Sequence, residues 1–243
     1  MASSEEHGRT QRAAVVFNPI KVDAAKLKTA VTAQAHAAGW AKTLWYETTE
    51  NDAGQLLTAK ALGKGVDIVA AAGGDGTVRA VAEALRGTKT ALGLLPSGTG
   101  NLLARNLDVA INIEENISTI FTGRDRTIDL GLVEITRTDG RSSIHAFAVI
   151  AGIGIDAQMM AKTKPGLKKA VGWLAYIDGG VRALPEIRPF KMRLRIDGSQ
   201  WRSTSAHTIM VGNCGNLQGG ILLMPDAKPD DGILDFMVLR PRG

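Results

Sequence analysis

One carboxylate and one hydroxyl, Asp75 and Thr77, stand among three glycines in the run Gly73-Gly74-Asp75-Gly76-Thr77. Residues 66–72 before it read as a short apolar strand and residues 78–85 after it carry helical spacing, which puts the glycines at a strand-to-helix junction. Glycine allows positive φ and close approach of another group to the backbone, and the amides that open the following helix favour an anion. A phosphate suits this arrangement. Asp75 would repel a bare phosphate, and a magnesium ion between the two removes the conflict.

A second loop of the same kind follows. Residues 90–95 form another short apolar run, which empties into Pro96-Ser97-Gly98-Thr99-Gly100-Asn101, and residues 102–107 again look helical. Two consecutive strands therefore bring two glycine-and-hydroxyl loops to the same edge of one sheet, and in open parallel sheets ligands bind beyond the carboxyl ends of the strands. The first loop is expected to cradle phosphates, with Thr99 and Asn101 adding side-chain hydrogen bonds from the second.

The elements that must hold these loops alternate. Residues 13–18 and 43–47 read as strands, residues 24–38 as a helix closed by Gly39, residues 53–62 as a helix capped by Asn51 or Asp52, and residues 114–121 as a further helix. Such alternation predicts a parallel sheet covered on both faces. After residue 124 the pattern changes to strands, at 127–136, 144–150, 190–197, 205–212 and 234–240, interrupted by one helical insertion at 167–184. Period-two alternation is plainest in Lys191-Met192-Arg193-Leu194-Arg195-Ile196. The predicted fold is α/β, a parallel-sheet nucleotide-binding domain over 13–125 followed by a mostly antiparallel β-sandwich domain over 126–243. Residues 1–12 are expected to be a disordered tail.

Composition narrows the setting. The apolar stretches of this 243-residue chain are strand-sized and residues 1–12 are polar, so neither a membrane span nor a signal sequence is expected. Cys214 is the only cysteine, which rules out an internal disulfide and suggests a reducing, cytoplasmic compartment. His7, His36, His145 and His207 lack the spacing of zinc ligands. The formal charge is +5, and residues 161–202 hold ten Lys or Arg against three acids. With 5% aromatic residues and no base-reading motif, nucleic acid is disfavoured and an anionic membrane surface favoured, giving a peripherally membrane-associated protein. Trp173, within the basic stretch, fits either burial or a headgroup interface.

The chain resembles the diacylglycerol kinase catalytic domain family, shared by bacterial lipid kinases, sphingosine kinases and ceramide kinases. The two glycine loops carry the resemblance together with Asn18-Pro19, Ile128-Asp129-Leu130-Gly131 and the acidic loop Pro225-Asp226-Ala227-Lys228-Pro229-Asp230-Asp231-Gly232. The glycine-aspartate motif alone also occurs in NAD kinases. The resemblance implies transfer of the γ-phosphoryl group of ATP, with Mg2+, to the hydroxyl of diacylglycerol or a similar membrane lipid. It implies that Asn18, Pro19, Ile20, Lys21 and Val22 line the nucleotide beside Thr48. It also implies that Gly74, Asp75, Gly76, Thr77, Val78, Arg79 and Ala80 hold the phosphates, which Thr99 contacts from the second loop. A structural magnesium would lie on the Lys228 carbonyl, the Asp231 carboxylate and the Ile233 carbonyl, in a segment that without the resemblance reads as a β-hairpin turn. Three departures stand out. Ile20-Lys21-Val22 replaces a usual Ser-Gly, Leu102 replaces an aspartate of many bacterial relatives, and the Asp-Gly-Glu motif that supplies the catalytic base is expected beyond Gly243. A nucleotide- or membrane-binding remnant without a base and an NAD kinase-like phosphotransferase are the alternatives. Unpaired strand edges would favour a homo-oligomer.

Overall fold

The computed structural model describes residues 9–154 and 189–240. Contacts divide the chain into two compact units, which part between Ala148 and Val149. The first unit is built on four parallel strands in the order β2-β1-β3-β4: β1 (Ala13–Phe17), β2 (Leu44–Glu47), β3 (Ile68–Gly73) and β4 (Ala91–Pro96). Every residue of β1 and β3 is buried, which is why both are apolar at each position rather than alternating.

Alternate residues of these strands serve different layers. Val15, Phe17, Ala70, Ala72 and Leu95 form one core with Leu27, Val31 and Ala35 of α1 (Ala24–Ala37) and with Ile117, Ile120 and Phe121 of α5 (Ile113–Thr122). Helices α2 (Gln55–Leu62) and α3 (Asp75–Leu85) pack on each other and on β1, where Val16 approaches Val81 around Gly54. The sheet is thus layered with helices as the alternation predicted. Side chains stop the chain locally: Asp23 caps α1 through Ala25 and Lys26, and Asn112 caps α5 through Glu114. Of the two predicted caps for α2, Asp52 does the work, accepting from the amides of Gly54, Leu56 and Leu57. Trp40 packs edge-on against Phe121 and Trp45 against Phe17. Short α4 (Leu102–Asn106) follows the second glycine loop.

The predicted boundary near residue 126 and the division between the units differ. The antiparallel hairpin of β5 (Gly131–Thr136) and β6 (Ser142–Phe147) belongs with the first unit, because β6 packs against α3. Two predicted strands are each two. Residues 144–150 break after Phe147, and β7 (Ile150–Gly154) joins the second unit. Residues 205–212 break at His207, so that β9 (Arg202–Ala206) pairs with β8 (Phe190–Leu194) while β10 (Thr208–Gly212) pairs with β7 and with β11 (Asp235–Leu239). The break at His207 is where the chain passes from one sheet to the other. The second unit therefore carries an antiparallel sheet β11-β10-β7 and the β8–β9 hairpin. The predicted tail over 1–12 is described only from residue 9, and the helix at 167–184, Trp173 and most of the basic stretch lie outside the described residues.

Candidate nucleotide site

The parallel sheet delivers Asn18, Thr48 and both glycine loops to the carboxyl ends of its strands. Asn18 ends β1 and donates its amide to the Ala72 carbonyl of β3, and Thr48 ends β2 with its amide on the Phe17 carbonyl. The Asn18 side chain accepts from the amide of Ile20 at 3.0 Å, and its carbonyl accepts from Lys21 and Val22, so Asn18-Pro19-Ile20-Lys21-Val22 is a tight turn closed by Asn18 itself. Ile20 is 87% exposed at the tip of that turn. Thr48 is buried.

Helix α3 opens directly from the first loop, earlier than helical spacing predicts, with Gly74 extended at its cap. The amides of Asp75, Gly76 and Thr77 head the helix, where an α-helix offers them no internal acceptor. Val78 donates to the Gly74 carbonyl. Thr77 is buried over Gly73, where any added Cβ would lie 2.6 Å from the Thr77 hydroxyl. Val78 and Ala80 are core residues, and Arg79 pairs with Glu83 one turn along the helix. Of the residues from Gly74 to Ala80, the exposed ones are Asp75 and Gly76, with Gly74 half-buried.

The two loops are locked together, and Asp75 is the lock. One carboxylate oxygen accepts from the amide of Leu102 at 2.6 Å and the other from the amide of Asn101 at 3.1 Å, so Asp75 of the first loop caps the start of α4 after the second. A Cβ on Gly100 would stand 2.5 Å from the Asp75 carboxylate, and a Cβ on Gly98 would stand 2.5 Å from the Gly74 Cα. Glycine is required at both positions by close approach. Asn101 adopts a left-handed backbone with φ of 50°. Its buried carboxamide turns inward, accepting from the Gly98 amide at 2.9 Å and donating to the Gly98 carbonyl at 2.8 Å. Asn101 therefore shapes the loop, where the sequence suggested a ligand hydrogen bond. Ser97 donates to the Leu95 carbonyl, and Arg105 Nε to the Gly100 carbonyl. Thr99 is left exposed at the crest of the second loop. The signal for the lock lay in the paired glycines of the two loops, but no local pattern reveals that Asp75 and Asn101 join them across 26 residues of chain.

The chain as a whole has known relatives. Residues 12–133 match the family described as the diacylglycerol kinase catalytic domain. The chain belongs to that family. Residues 148–243 match a second family, the YegS C-terminal NAD kinase beta sandwich-like domain, whose start agrees with the division between the units. A protein of Stenotrophomonas maltophilia named "Probable lipid kinase YegS-like" is 34% identical over 198 residues, 79% of this chain and 62% of the relative. A diacylglycerol kinase of Mycobacterium tuberculosis is 32% identical over 187 residues, 76% of this chain and 59% of its own length. The chain thus spans about three fifths of these relatives. Among solved structures, that of a diacylglycerol kinase from Bacillus anthracis superposes with a TM-score of 0.65 at 26% identity, over 96% of this chain and 75% of the other.

In the second unit, Lys228, Asp231 and Ile233 share one exposed turn. Asp231 accepts from the Ile233 amide at 3.0 Å, and Gly232 takes the positive φ of 73° that closes the turn. Two carbonyls and one carboxylate are the hard oxygen donors that magnesium takes, and one Asp231 oxygen stays outside that hydrogen bond. Among the described residues there is no cluster of three or more His, Cys, Asp or Glu able to hold a metal. No helix among them is long and apolar enough to cross a membrane.

Proposed function

We propose that this chain forms the nucleotide-binding and lipid-binding part of an ATP-dependent lipid kinase, which transfers the γ-phosphoryl group of ATP to the hydroxyl of diacylglycerol or a similar membrane lipid. Gly76 carries the reading. It sits in the first turn of α3, where glycine costs up to about 1 kcal/mol relative to alanine, yet a Cβ there would meet nothing within 4 Å and its φ is not positive. Nothing inside the protein asks for glycine at this position. A phosphate laid against the α3 amides does, because it must approach the backbone closely.

The remaining residues fall into roles around that phosphate. Thr99 reaches it from the crest of the second loop. Ile20, exposed far beyond what the fold needs, gives the adenine an apolar surface, and Lys21 supplies a cation nearby where a Ser-Gly turn is absent. Phosphoryl transfer asks the protein chiefly to position the reactants and to stabilise charge, which is the task these groups suit. Magnesium neutralises phosphate charge when bound, and the Lys228 carbonyl, Asp231 carboxylate and Ile233 carbonyl are the residues that would hold a structural ion. The acceptor hydroxyl arrives from an anionic membrane surface, to which the protein binds peripherally. A soluble acceptor of the NAD kinase kind is the second reading, favoured by the match of residues 148–243 to a domain described as NAD kinase beta sandwich-like.

Titration of the chain with ATP and Mg2+ in a calorimeter tests the nucleotide reading, which fails if no heat of binding is found. Radiolabelled ATP offered to the chain joined to a segment carrying the Asp-Gly-Glu motif, with diacylglycerol in mixed micelles and separately with NAD, tests the acceptor. Label in the lipid supports the proposal, and label in NAD alone overturns it.

A further inference from the structure

We infer that the outer face of the β8–β9 hairpin is the surface through which the chain docks on an anionic lipid bilayer. This rests on the reading of the acceptor as a membrane lipid. Alternation and register divide the hairpin into two unlike faces. Phe190, Met192 and Leu194 are half-buried, and between them Lys191, Arg193 and Arg195 are exposed. Pairing of Arg193 with Ser203 and of Lys191 with Ser205 places the two serines on the same outer face, with Trp201 just before β9. Trp201 is 56% exposed, and the Arg193 and Arg195 guanidinium groups both lie over its ring, at 5.3 and 5.1 Å from its centre.

This face holds three cations, two hydroxyls and an exposed indole, and no carboxylate. Asp197 lies in the turn beyond the strands, with φ of 46°. The described residues include no ion pair to Lys191, Arg193 or Arg195. Cations that no described carboxylate pairs, set around an amphipathic ring, match an anionic headgroup layer, where indole resides at the interface and each basic residue adds about fivefold in affinity. The alternative polyanion, single-stranded nucleic acid, uses aromatic rings as stacking platforms. Here two guanidinium groups already lie over the ring and compete with a base for it, whereas a lipid phosphate binds the guanidinium groups themselves.

Co-sedimentation with vesicles tests the inference, using phosphatidylcholine alone and phosphatidylcholine with one third phosphatidylglycerol. The chain is expected to bind the anionic vesicles more tightly. Arg193→Gln with Arg195→Gln should lower that affinity about thirtyfold, Trp201→Ala should weaken it too, and Arg193→Lys with Arg195→Lys should retain most of it. Calorimetric ATP titration and the melting temperature of each variant show that the fold and the nucleotide site are intact. Unchanged vesicle binding in the glutamine pair, equal binding to both vesicle types, or tighter binding to single-stranded DNA that the glutamine pair abolishes would each overturn the inference. The two readings fail separately. Lipid phosphorylation with unchanged vesicle binding in the variants would refute this surface and leave the kinase, whereas vesicle binding lost in the variants without label entering lipid would refute the kinase and leave the surface.

Discussion

Replacing Asp75 with alanine takes the acceptor from two backbone amides at once, those of Asn101 and Leu102, which sit 3.1 and 2.6 Å from its two oxygens. Those amides open α4, and Asn101 holds a left-handed backbone conformation that costs a non-glycine residue about 1–2 kcal/mol unless its surroundings stabilise it. A helix-capping carboxylate is worth about 0.5–2 kcal/mol on replacement by alanine. Charge-assisted bonds to buried groups run higher, but Asp75 is solvent-exposed, so about 2 kcal/mol is expected for the pair. For a chain of this length that corresponds to a fall in melting temperature of about 4–8 °C. Asp75→Asn keeps one acceptor oxygen and should lose about half as much. Thermal unfolding of the protein without nucleotide measures this directly, and calorimetry with ATP and Mg2+ should show weakened binding in the same variants, because the second loop has lost its anchor. If Asp75 served the nucleotide or its metal and nothing else, the variant without nucleotide would melt at the wild-type temperature or above it. That result would refute the lock.

Gly98→Ala should abolish ATP binding in the same calorimetric titration and lower the melting temperature, since its Cβ would lie 2.5 Å from the Gly74 Cα, a backbone atom that cannot step aside without parting the loops. Gly76→Ala should do the opposite to stability, raising it by about 0.4–1 kcal/mol in urea unfolding while still weakening ATP binding, because its Cβ meets open space in the protein but the ligand in the complex; unchanged binding would remove Gly76 from the phosphate site. Lys26 and Glu114 join α1 to α5 at 2.8 Å, and the hydrogen bond and charge of each hold the Glu114 carboxyl below its ordinary pKa and the Lys26 amine above its own. The pair's small stabilisation is therefore present at neutral pH, lost in acid as pH falls through the lowered Glu114 value, and lost in alkali as pH rises through the raised Lys26 value. Melting curves of wild type and Glu114→Gln should differ slightly at neutral pH and converge at both extremes.

What could be read from the sequence was what short stretches determine. Apolar runs ending in glycine placed β3, β4 and both loops within a residue or two, because a strand buried on both faces and a turn into a helix each leave a local signature. The family match bears out the resemblance that those motifs carried. Residues 205–212 and 144–150 looked like single strands because β propensity does not change where a chain leaves one sheet for another. The β5–β6 hairpin looked like the start of the second domain for a similar reason: nothing local states that β6 packs on α3, or that Gly131 must be glycine because a Cβ would enter the Phe147 ring.

Asp75 shows work within a motif that local reading did not anticipate. Its neighbours suggested a carboxylate turned toward phosphate and metal, and its geometry turns it toward the chain's own second loop. The same geometry bears on Leu102, where the family resemblance implies an aspartate. The Leu102 amide is the closest partner of the Asp75 carboxylate, so a second carboxylate there would stand beside the first and repel it unless a cation lay between them. With leucine, the described partners of the Asp75 carboxylate are the Asn101 and Leu102 amides. In this chain the close approach of the two loops is thus set by Asp75, Gly98 and Gly100, and Gly76 and Thr99 are left exposed, where the proposed phosphate would meet them. Residues that hold the loops together and residues left exposed are interleaved in the same two motifs, which is why spacing alone could place the loops and could not divide their labour.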